Sequence, residues 1–150
     1  KGTGIMNSLF DGYGEYRGDF PTRFSGSIVS DRQGQAVPYA IFNLDPRGRM
    51  FIRPGDAVYE GMIVGEHNRD NDIDVNPCKE KKLTNMRASG KDEAIILTPV
   101  LPMTLEMALN FIRDDEMVEI TPQNIRLRKI ELSAQKRHTT SARKKKSEGK

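Results

Sequence analysis

Apolar and polar positions alternate with two different periods along the middle of the chain, and this pattern predicts both helices and strands. The segment 26–30, Gly-Ser-Ile-Val-Ser, suits a strand, and the polar residues 31–34 suit a turn. Pro38 fits the first position of a helix over 38–46. The apolar residues of this helix share one face, as expected for a helix packed on a sheet: Ala40, Ile41 and Leu44.

Two strand-like segments follow this helix and predict a β-hairpin. They cover 50–52 and 57–64, and the Pro-Gly-Asp sequence at 54–56 forms the turn between them. Gly48 lies where a left-handed cap of the preceding helix would fall. Gly61 is expected to introduce a bulge into the second strand.

The last third of the chain predicts one clear helix and three strands. Thr104 is a good N-cap for a helix over 104–114, with its apolar face formed by Leu105, Ala108, Leu109 and Ile112. Strands are predicted at 94–98, 117–120 and 125–132. In the last strand Ile125 and Leu127 can face inward while Arg126 and Arg128 face outward. The fold class is therefore α+β, with mainly antiparallel strands and two short helices.

The stretch 67–93 is polar and predicts a long loop or an irregular hairpin, which in a compact domain is more often functional than incidental. Its acidic run 70–74 begins like a calcium loop, but Val75 occupies the glycine position and Lys81 that of the closing glutamate. A loop of solvated acids is the preferred interpretation. The acids at 114–116 are interpreted in the same way, as surface charge after a helix.

Charge is distributed unevenly along the chain. Seven of the 24 Lys and Arg residues and one of the 21 acidic residues lie in 134–150, so this tail carries +6 and the remainder −3. The sequence pI of about 9.0 therefore derives from the tail. Such asymmetry is typical of an arm that meets a polyanion while the body stays soluble.

The segment from Lys79 to Lys91 holds five cations and one acid, together with small polar residues that suit phosphate binding. A solvated loop kept soluble by its charge is an equally good interpretation of composition alone. Neither this segment nor the tail contains an aromatic residue, which favours recognition of RNA phosphates or shape over base stacking.

Several kinds of catalytic or metal site do not fit the sequence. The segment 89–92 resembles the end of a P-loop, but Asp92 replaces the required Ser or Thr and Asn85 the first glycine. His67 and Cys78 lack a third orienting group, so a nucleophile pair is not supported. Two histidines and one cysteine do not give zinc-ligand spacing. The single cysteine fits a reducing cytosol, and no apolar run is long enough to cross a bilayer.

The residues 81–90, Lys-Lys-Leu-Thr-Asn-Met-Arg-Ala-Ser-Gly, resemble the signature loop of the TypA/BipA translational GTPases. Four further segments resemble that family in the same order: 40–44 with 47–49, 58–65, 105–109 and 126–129. Arg113 and Ile130 depart from the expected pattern, and both are interpreted as surface changes. The resemblance covers nearly the whole chain.

The resemblance implies a domain organisation. Residues 1–18 would end an elongation-factor-like fifth domain, 19–133 would form the family-specific C-terminal domain, and 134–150 would be a basic, disordered tail. The chain begins without an initiator methionine or a signal peptide, so we expect a piece of a longer cytoplasmic protein. The GTPase domain, with its GTP and Mg²⁺, would precede this piece, which itself would hold no cofactor and no catalytic residue.

The resemblance also implies partners: the ribosome, 23S rRNA near the peptidyl-transferase region, and the acceptor end of A-site tRNA. No membrane and no small-molecule substrate are expected. A protein-interaction module with a solvated basic loop is the alternative. The predicted RNA-binding residues come from the loop, from the last strand and from the tail: Lys79, Lys81, Lys82, Asn85, Met86, Arg87, Ser89, Lys91, Arg126, Arg128, Lys129, Lys136, Arg137, Arg143, Lys144, Lys145 and Lys146.

Overall fold

The structure is a computed structural model that describes residues 7–16, 18, 23–81, 96–100 and 102–140. Within these ranges the fold is α+β with a mostly antiparallel sheet, which confirms the predicted class. Residues 7–16, which belong to the segment expected to end a preceding domain, have no regular secondary structure. The predicted strand at 94–98 is also not formed over 96–98, its described part.

The main sheet is built around β5, which pairs with three other strands. β1 lies along one edge of β5, while β8 and β3 share the other edge. β6 pairs parallel to β1, and β7 pairs antiparallel to β8. A second, two-stranded sheet joins β2 to β4. The strands are β1 (Ser27–Ser30), β2 (Gly34–Gln35), β3 (Gly48–Met50), β4 (Ala57–Val58), β5 (Met62–His67), β6 (Ile73–Val75), β7 (Glu116–Ile120) and β8 (Ile125–Lys129).

Each face of the sheet carries its own hydrophobic core. On one face Ile28 and Val64 pack with Ile41 and Leu44 of helix α1 (Pro38–Leu44). On the other face Val29, Ile63 and Leu127 pack with Ala108 of helix α2 (Leu105–Phe111). Because successive strand residues point to opposite faces, β1 and β5 must be apolar on both sides, and β1 is buried throughout.

Helix α1 begins at Pro38 as predicted, but it ends differently from the prediction. A 3₁₀ turn, Asp45–Arg47, follows it and leads directly into β3. Gly48 has a φ of 165°, which is extended backbone, so the predicted left-handed cap is wrong. A Cβ at Gly48 would lie 1.9 Å from the carbonyl oxygen of Glu66. Glycine is therefore required by the close approach of β3 to β5.

The predicted hairpin is confirmed in part, since β3 pairs antiparallel with β5. The residues between them detour to form β4, which joins the second sheet. The irregularity of β5 lies opposite Ile28 and Val29, which pair with Gly65 and Ile63 and leave Val64 as the extra residue. Gly61 instead has a φ of +86° just before β5, so it turns the chain into the strand.

Helix α2 begins as predicted, because the Thr104 side chain accepts a hydrogen bond from the Met107 amide. Its buried face is different from the predicted one. Ala108 is fully buried, while Leu105 and Leu109 are 43% and 58% exposed. The helix is only seven residues long and contacts the sheet where the small Ala108 side chain permits close approach, so the leucines extend past the contact.

The elements that were not predicted include β2, β6 and a helix over 134–140. β6 lies inside the stretch interpreted as a long loop, and it extends the sheet beyond β1. Residues 134–140, the described part of the tail, form a third helix, α3. The amide of Arg137 donates to the carbonyl oxygen of Ser133, and the amide of Ala134 donates to the Glu60 carboxylate. The prediction of disorder is therefore wrong for 134–140.

Candidate nucleic-acid interface

We call residues 79–98, which contain the basic segment Lys79–Lys91, the basic loop; its described ends lie on either side of the 3₁₀ turn. Lys79 and Lys81 are exposed at its start. At its far end, the amide and hydroxyl groups of Thr98 both donate to Asp45 Oδ2, at 3.4 and 3.1 Å. The remaining predicted loop residues lie outside the described residues, as do the cations of the terminal tail: Lys82, Asn85, Met86, Arg87, Ser89, Lys91, Arg143, Lys144, Lys145 and Lys146.

Two surface grooves flank the same 3₁₀ turn. The larger, which we call the α1 groove, has a volume of about 400 Å³. It lies between α1 and the segment 74–79, and its polar lining residues are Tyr39, Asn43, Arg47, Asp74, Asn76 and Lys79. The second groove, of about 300 Å³, is lined by residues that include Asp45, Arg49, Asn68 and Thr98. The two grooves meet the two ends of the basic loop.

We call the cations at this position the loop base, namely Arg47, Arg49, Lys79 and Lys81. All four are exposed. Within the described part of the chain, Arg47, Arg49 and Lys79 form no ion pair. They can therefore approach an external anion without first giving up an internal partner.

Arg47, Tyr39 and Asn43 were missed as candidate site residues, although the sequence holds a signal for them. Their spacing of four residues places Tyr39, Asn43 and Arg47 along one side of α1 and its 3₁₀ extension. That side of the helix is polar, whereas the side formed by Ala40, Ile41 and Leu44 is apolar and buried. A polar stripe with an aromatic residue on a core-packed helix is a recognisable surface pattern.

Lys129 is not available to RNA, so its prediction as a contact is wrong. Its side chain is 2% exposed, and Nζ lies 2.6 Å from Asp72, 2.7 Å from Asp115 and 2.9 Å from Glu116. The physical reason is the two-residue period of β8, which points Lys129 to the same side as Ile125 and Leu127. The carboxylates that neutralise it come from the two acidic runs.

Both acidic runs were interpreted as solvated, and the structure corrects this for Glu116, whereas Asp70, Asp72, Asp114 and Asp115 are exposed. The Glu116 side chain is fully buried and also accepts hydrogen bonds from Ser27 Oγ at 2.6 Å and Arg23 Nη2 at 3.0 Å. Asp72 accepts the Ser27 backbone amide at 2.7 Å. These bonds tie β1, β6, β7 and β8 together at one end of the sheet. We call Lys129, Glu116, Asp72 and Asp115 the buried charge cluster.

The pKa shifts of Glu116, Asp72 and Lys129 all favour the charged forms of these groups. Burial alone would raise the pKa of Glu116, but hydrogen bonds from Ser27 and Lys129 outweigh burial and lower it. Burial opposes the shift at Asp72 too, and the Lys129 ammonium lowers that pKa. For Lys129, burial would lower the pKa, and the hydrogen bonds to Asp115, Asp72 and Glu116 raise it.

Arg113 is likewise not a surface change. Its Nη2 donates to the backbone carbonyl oxygens of Arg23 and Ser25, at 3.0 and 2.8 Å. The Arg23 guanidinium lies 3.8 Å above the ring of Phe111, and its Nε and Nη1 have no hydrogen-bond partner. The ring face compensates for part of that loss. Arg113 and Arg23 therefore fix the chain segment that enters β1.

Arg126 and Arg128 are half-buried on β8 and face other side chains. Arg126 pairs with Glu119 at 3.7 Å, and Arg128 Nη2 lies 3.8 Å from Met117 Sδ. Glu119 also accepts a hydrogen bond from the Tyr59 hydroxyl at 2.5 Å, and burial followed by this bond raises the pKa of Tyr59. Both arginines are thus engaged within the fold, unlike Arg47, Arg49 and Lys79, which form no described ion pair.

The structure places Arg137 in an internal ion pair, so it too is not a free contact as predicted. It pairs with Asp74, and His138 Nε2 lies 2.8 Å from the same carboxylate. Helix α3 presents both side chains to β6, which neutralises the acid in the wall of the α1 groove. Lys136, on the same helix, is exposed.

Cys78 and His67, which were considered as a possible nucleophile pair, lie in surroundings that favour structural roles. Burial raises the pKa of the Cys78 thiol, which disfavours the nucleophilic thiolate form. His67 is buried with Nδ1 2.7 Å from the carbonyl oxygen of Asn71, which holds the turn before β6. Among the described residues there is no group of three or more His, Cys, Asp or Glu side chains arranged to hold a metal ion.

Fold and surface together define a small α+β domain with exposed cations beside a basic loop. The family model for the TypA/BipA C-terminal domain matches residues 25–134. The chain therefore belongs to the TypA/BipA family, and it contains the C-terminal domain of that family. None of the helices in the described ranges has the length and hydropathy needed to cross a membrane.

Similar proteins cover this chain almost completely. It is 54% identical over 138 residues to the large ribosomal subunit assembly factor BipA of Buchnera aphidicola subsp. Schizaphis graminum, and this match covers 91% of the chain and 23% of the relative. The protein of the same name from Escherichia coli K12 is 52% identical over 134 residues, covering 89% of the chain and 22% of the relative. The chain thus spans about a quarter of the length of these relatives.

Proposed function

We propose that this chain is the ribosome-binding region of a TypA/BipA-type translational GTPase, and that it holds large-subunit RNA through the loop base and the basic loop. Its relatives carry the name large ribosomal subunit assembly factor, which supports the ribosome as the partner. The observation that carries the proposal is the position of the loop base. Four exposed cations surround the point where a further basic segment leaves the fold.

The proposed mechanism is electrostatic docking on a folded RNA surface. Cations that meet phosphates release condensed counterions, and this release supplies most of the affinity. Arg47, Arg49 and Lys79 can bind phosphates because they form no ion pair with a carboxylate of the described residues. The buried charge cluster does not bind RNA in this mechanism. It stabilises the fold by linking four strands of the sheet that carries the loop base.

The finer assignments follow from the family resemblance. We propose that the loop docks near the peptidyl-transferase region, where 23S rRNA and the acceptor end of A-site tRNA are its partners. The cellular role is large-subunit assembly or translation under stress, in the cytoplasm. GTP and Mg²⁺ belong to a GTPase domain outside this chain, so the fragment alone is not an enzyme and is expected to show no GTP turnover.

Co-sedimentation with large ribosomal subunits tests the proposal. Replacing Lys81, Lys82 and Arg87 together by Ala removes three positive charges from the loop, and we expect most of the bound chain to move to the supernatant. The matched control removes three charges elsewhere, at the exposed Arg32, Arg53 and Arg69, and is expected to sediment nearly as the parent chain does. Equal sedimentation of the loop variant and the parent would refute RNA docking by the loop.

The rival function is a protein-interaction module whose acidic body engages a partner. The −3 charge of residues 1–133 favours it, but four of their 20 acids are paired within the fold with Lys129, Arg23 or Arg137, namely Asp72, Asp74, Asp115 and Glu116. The acidic surface left for a partner is therefore smaller than the sequence indicates. Binding to protein-free large-subunit RNA, compared with intact subunits, separates the two functions.

A further inference from the structure

The α1 groove brings an aromatic ring next to two cations, which neither basic segment of the sequence does by itself. Tyr39 is half-buried and lines the groove together with Arg47 and Lys79. Single-stranded RNA is held by this combination, in which a ring stacks on a base and cations meet the backbone. The fold thus supplies the stacking group that the loop and tail lack.

We infer that the α1 groove holds one unpaired nucleotide of RNA, with its base against Tyr39 and its phosphates toward Arg47 and Lys79. The inference rests on the proposed RNA-binding function and adds to it a specific position and mode of contact. A volume of about 400 Å³ lies in the range of ligand pockets and is adequate for a single nucleotide.

Two amides in the groove wall can meet the base edge or the ribose. Asn43 Nδ2 donates to the carbonyl oxygen of Tyr39 at 2.7 Å, and no described residue donates to its Oδ1. Asn76 Oδ1 accepts the Cys78 amide at 2.9 Å, which leaves its Nδ2 as a donor. The groove therefore offers Asn43 Oδ1 as an acceptor and Asn76 Nδ2 as a donor. In each side chain the other polar atom of the amide is held by a hydrogen bond to the backbone.

The one acid in the groove wall does not repel phosphate as a bare carboxylate would. Asp74 pairs with Arg137 and lies 2.8 Å from His138 Nε2. Helix α3 therefore offsets the negative charge of Asp74. The remaining charged residues that line the groove, Arg47 and Lys79, are both positive. Residues 134–140 of the tail therefore contribute to the electrostatics of the groove through their helical structure.

Binding of a labelled, short single-stranded RNA to the 150-residue chain, followed by fluorescence anisotropy, tests the inference. Tyr39→Ala removes the ring and is expected to weaken binding by roughly 5- to 100-fold, as loss of one stacked base does. Tyr39→Phe keeps the ring and is expected to bind as the parent does. Phe42→Ala is the matched control, since Phe42 is an exposed aromatic residue on the same helix that does not line the groove.

A blunt RNA duplex of the same length, used as competitor, is expected to displace the single strand poorly. The inference is overturned if Tyr39→Ala binds like the parent, if Tyr39→Phe is as weak as Tyr39→Ala, if the duplex competes equally, or if no saturable binding occurs. Each of these results leaves the proposed function standing when the loop variants still lose large-subunit binding. Loss of the proposed function would instead show as unchanged sedimentation of those loop variants.

Discussion

Lys129 shows most clearly how one residue can be misjudged from charge alone. It follows two arginines in a basic strand and reads as part of a cationic face, yet it is the most deeply buried cation that the structure describes. Strand period predicts its direction, since residues 125, 127 and 129 share a side. What the sequence does not show is that acids from 72, 115 and 116 converge on that point through long-range pairing of four strands.

Replacing Lys129 by Met is expected to lower the free energy of unfolding by about 3–5 kcal/mol. The variant keeps the aliphatic stem but leaves Glu116 buried without its cation, and breaking a buried pair on one side has a cost of this size. Urea unfolding at neutral pH measures the change. Lys136→Met, at an exposed lysine of α3, is the control and should remain within about 0.5 kcal/mol of the parent.

Acid should destabilise the domain through the same cluster. The pKa values of Glu116 and Asp72 are lower in the folded chain than their unfolded values of about 4.3 and 3.9. Their stabilisation is therefore present above those values and is lost as pH falls through the folded pKa values. The urea concentration at the unfolding midpoint should be nearly constant near neutral pH and should decrease once the pH is lowered below about 4.5. Glu116→Gln should reduce this decrease. A parallel fall in parent and variant would contradict the assignment.

At the scale of elements, the sequence predicts best where a local signal decides. Pro38 and Thr104 set the starts of α1 and α2, because the fixed φ of proline and the capping hydroxyl act within a few residues. β6 was missed because only three residues pair, and they do so parallel to β1, far away in sequence. The candidate site was predicted in the same uneven way. The loop base at Lys79 and Lys81 follows from composition, while the approach of Tyr39 and Arg47 to it depends on packing of α1.

Gly48→Ala should destabilise the domain although strand residues are normally better without glycine. The added Cβ would meet the Glu66 carbonyl oxygen where β3 approaches β5, so one strand must shift, at a cost of about 1–3 kcal/mol. Urea unfolding is the measurement, and Gly14→Ala, whose Cβ would meet nothing within 4 Å, is the control. Equal midpoints for the two variants would show that β3 is not held against β5 as the structure has it.

At the scale of the whole molecule, charge is sorted between inside and outside. Lys129 pairs with three acids in the buried charge cluster, and Arg137 joins Asp74 in a second internal pair. The cations that remain exposed include the loop base, beside the basic loop. A body with a formal charge of −3 can thus present a positive surface to RNA, which net charge alone does not predict.

The salt dependence of binding to large ribosomal subunits tests this account most directly. The logarithm of the association constant should fall linearly with the logarithm of salt concentration, as expected when cations displace counterions from phosphates. Arg47→Gln combined with Lys79→Gln should make that slope shallower by about 1.5, because two phosphate contacts are lost. Arg53→Gln with Arg69→Gln removes the same charge at exposed positions outside the loop base and should change the slope less. Binding that is indifferent to salt, or a slope unchanged in the loop-base variant, would contradict RNA docking through these cations.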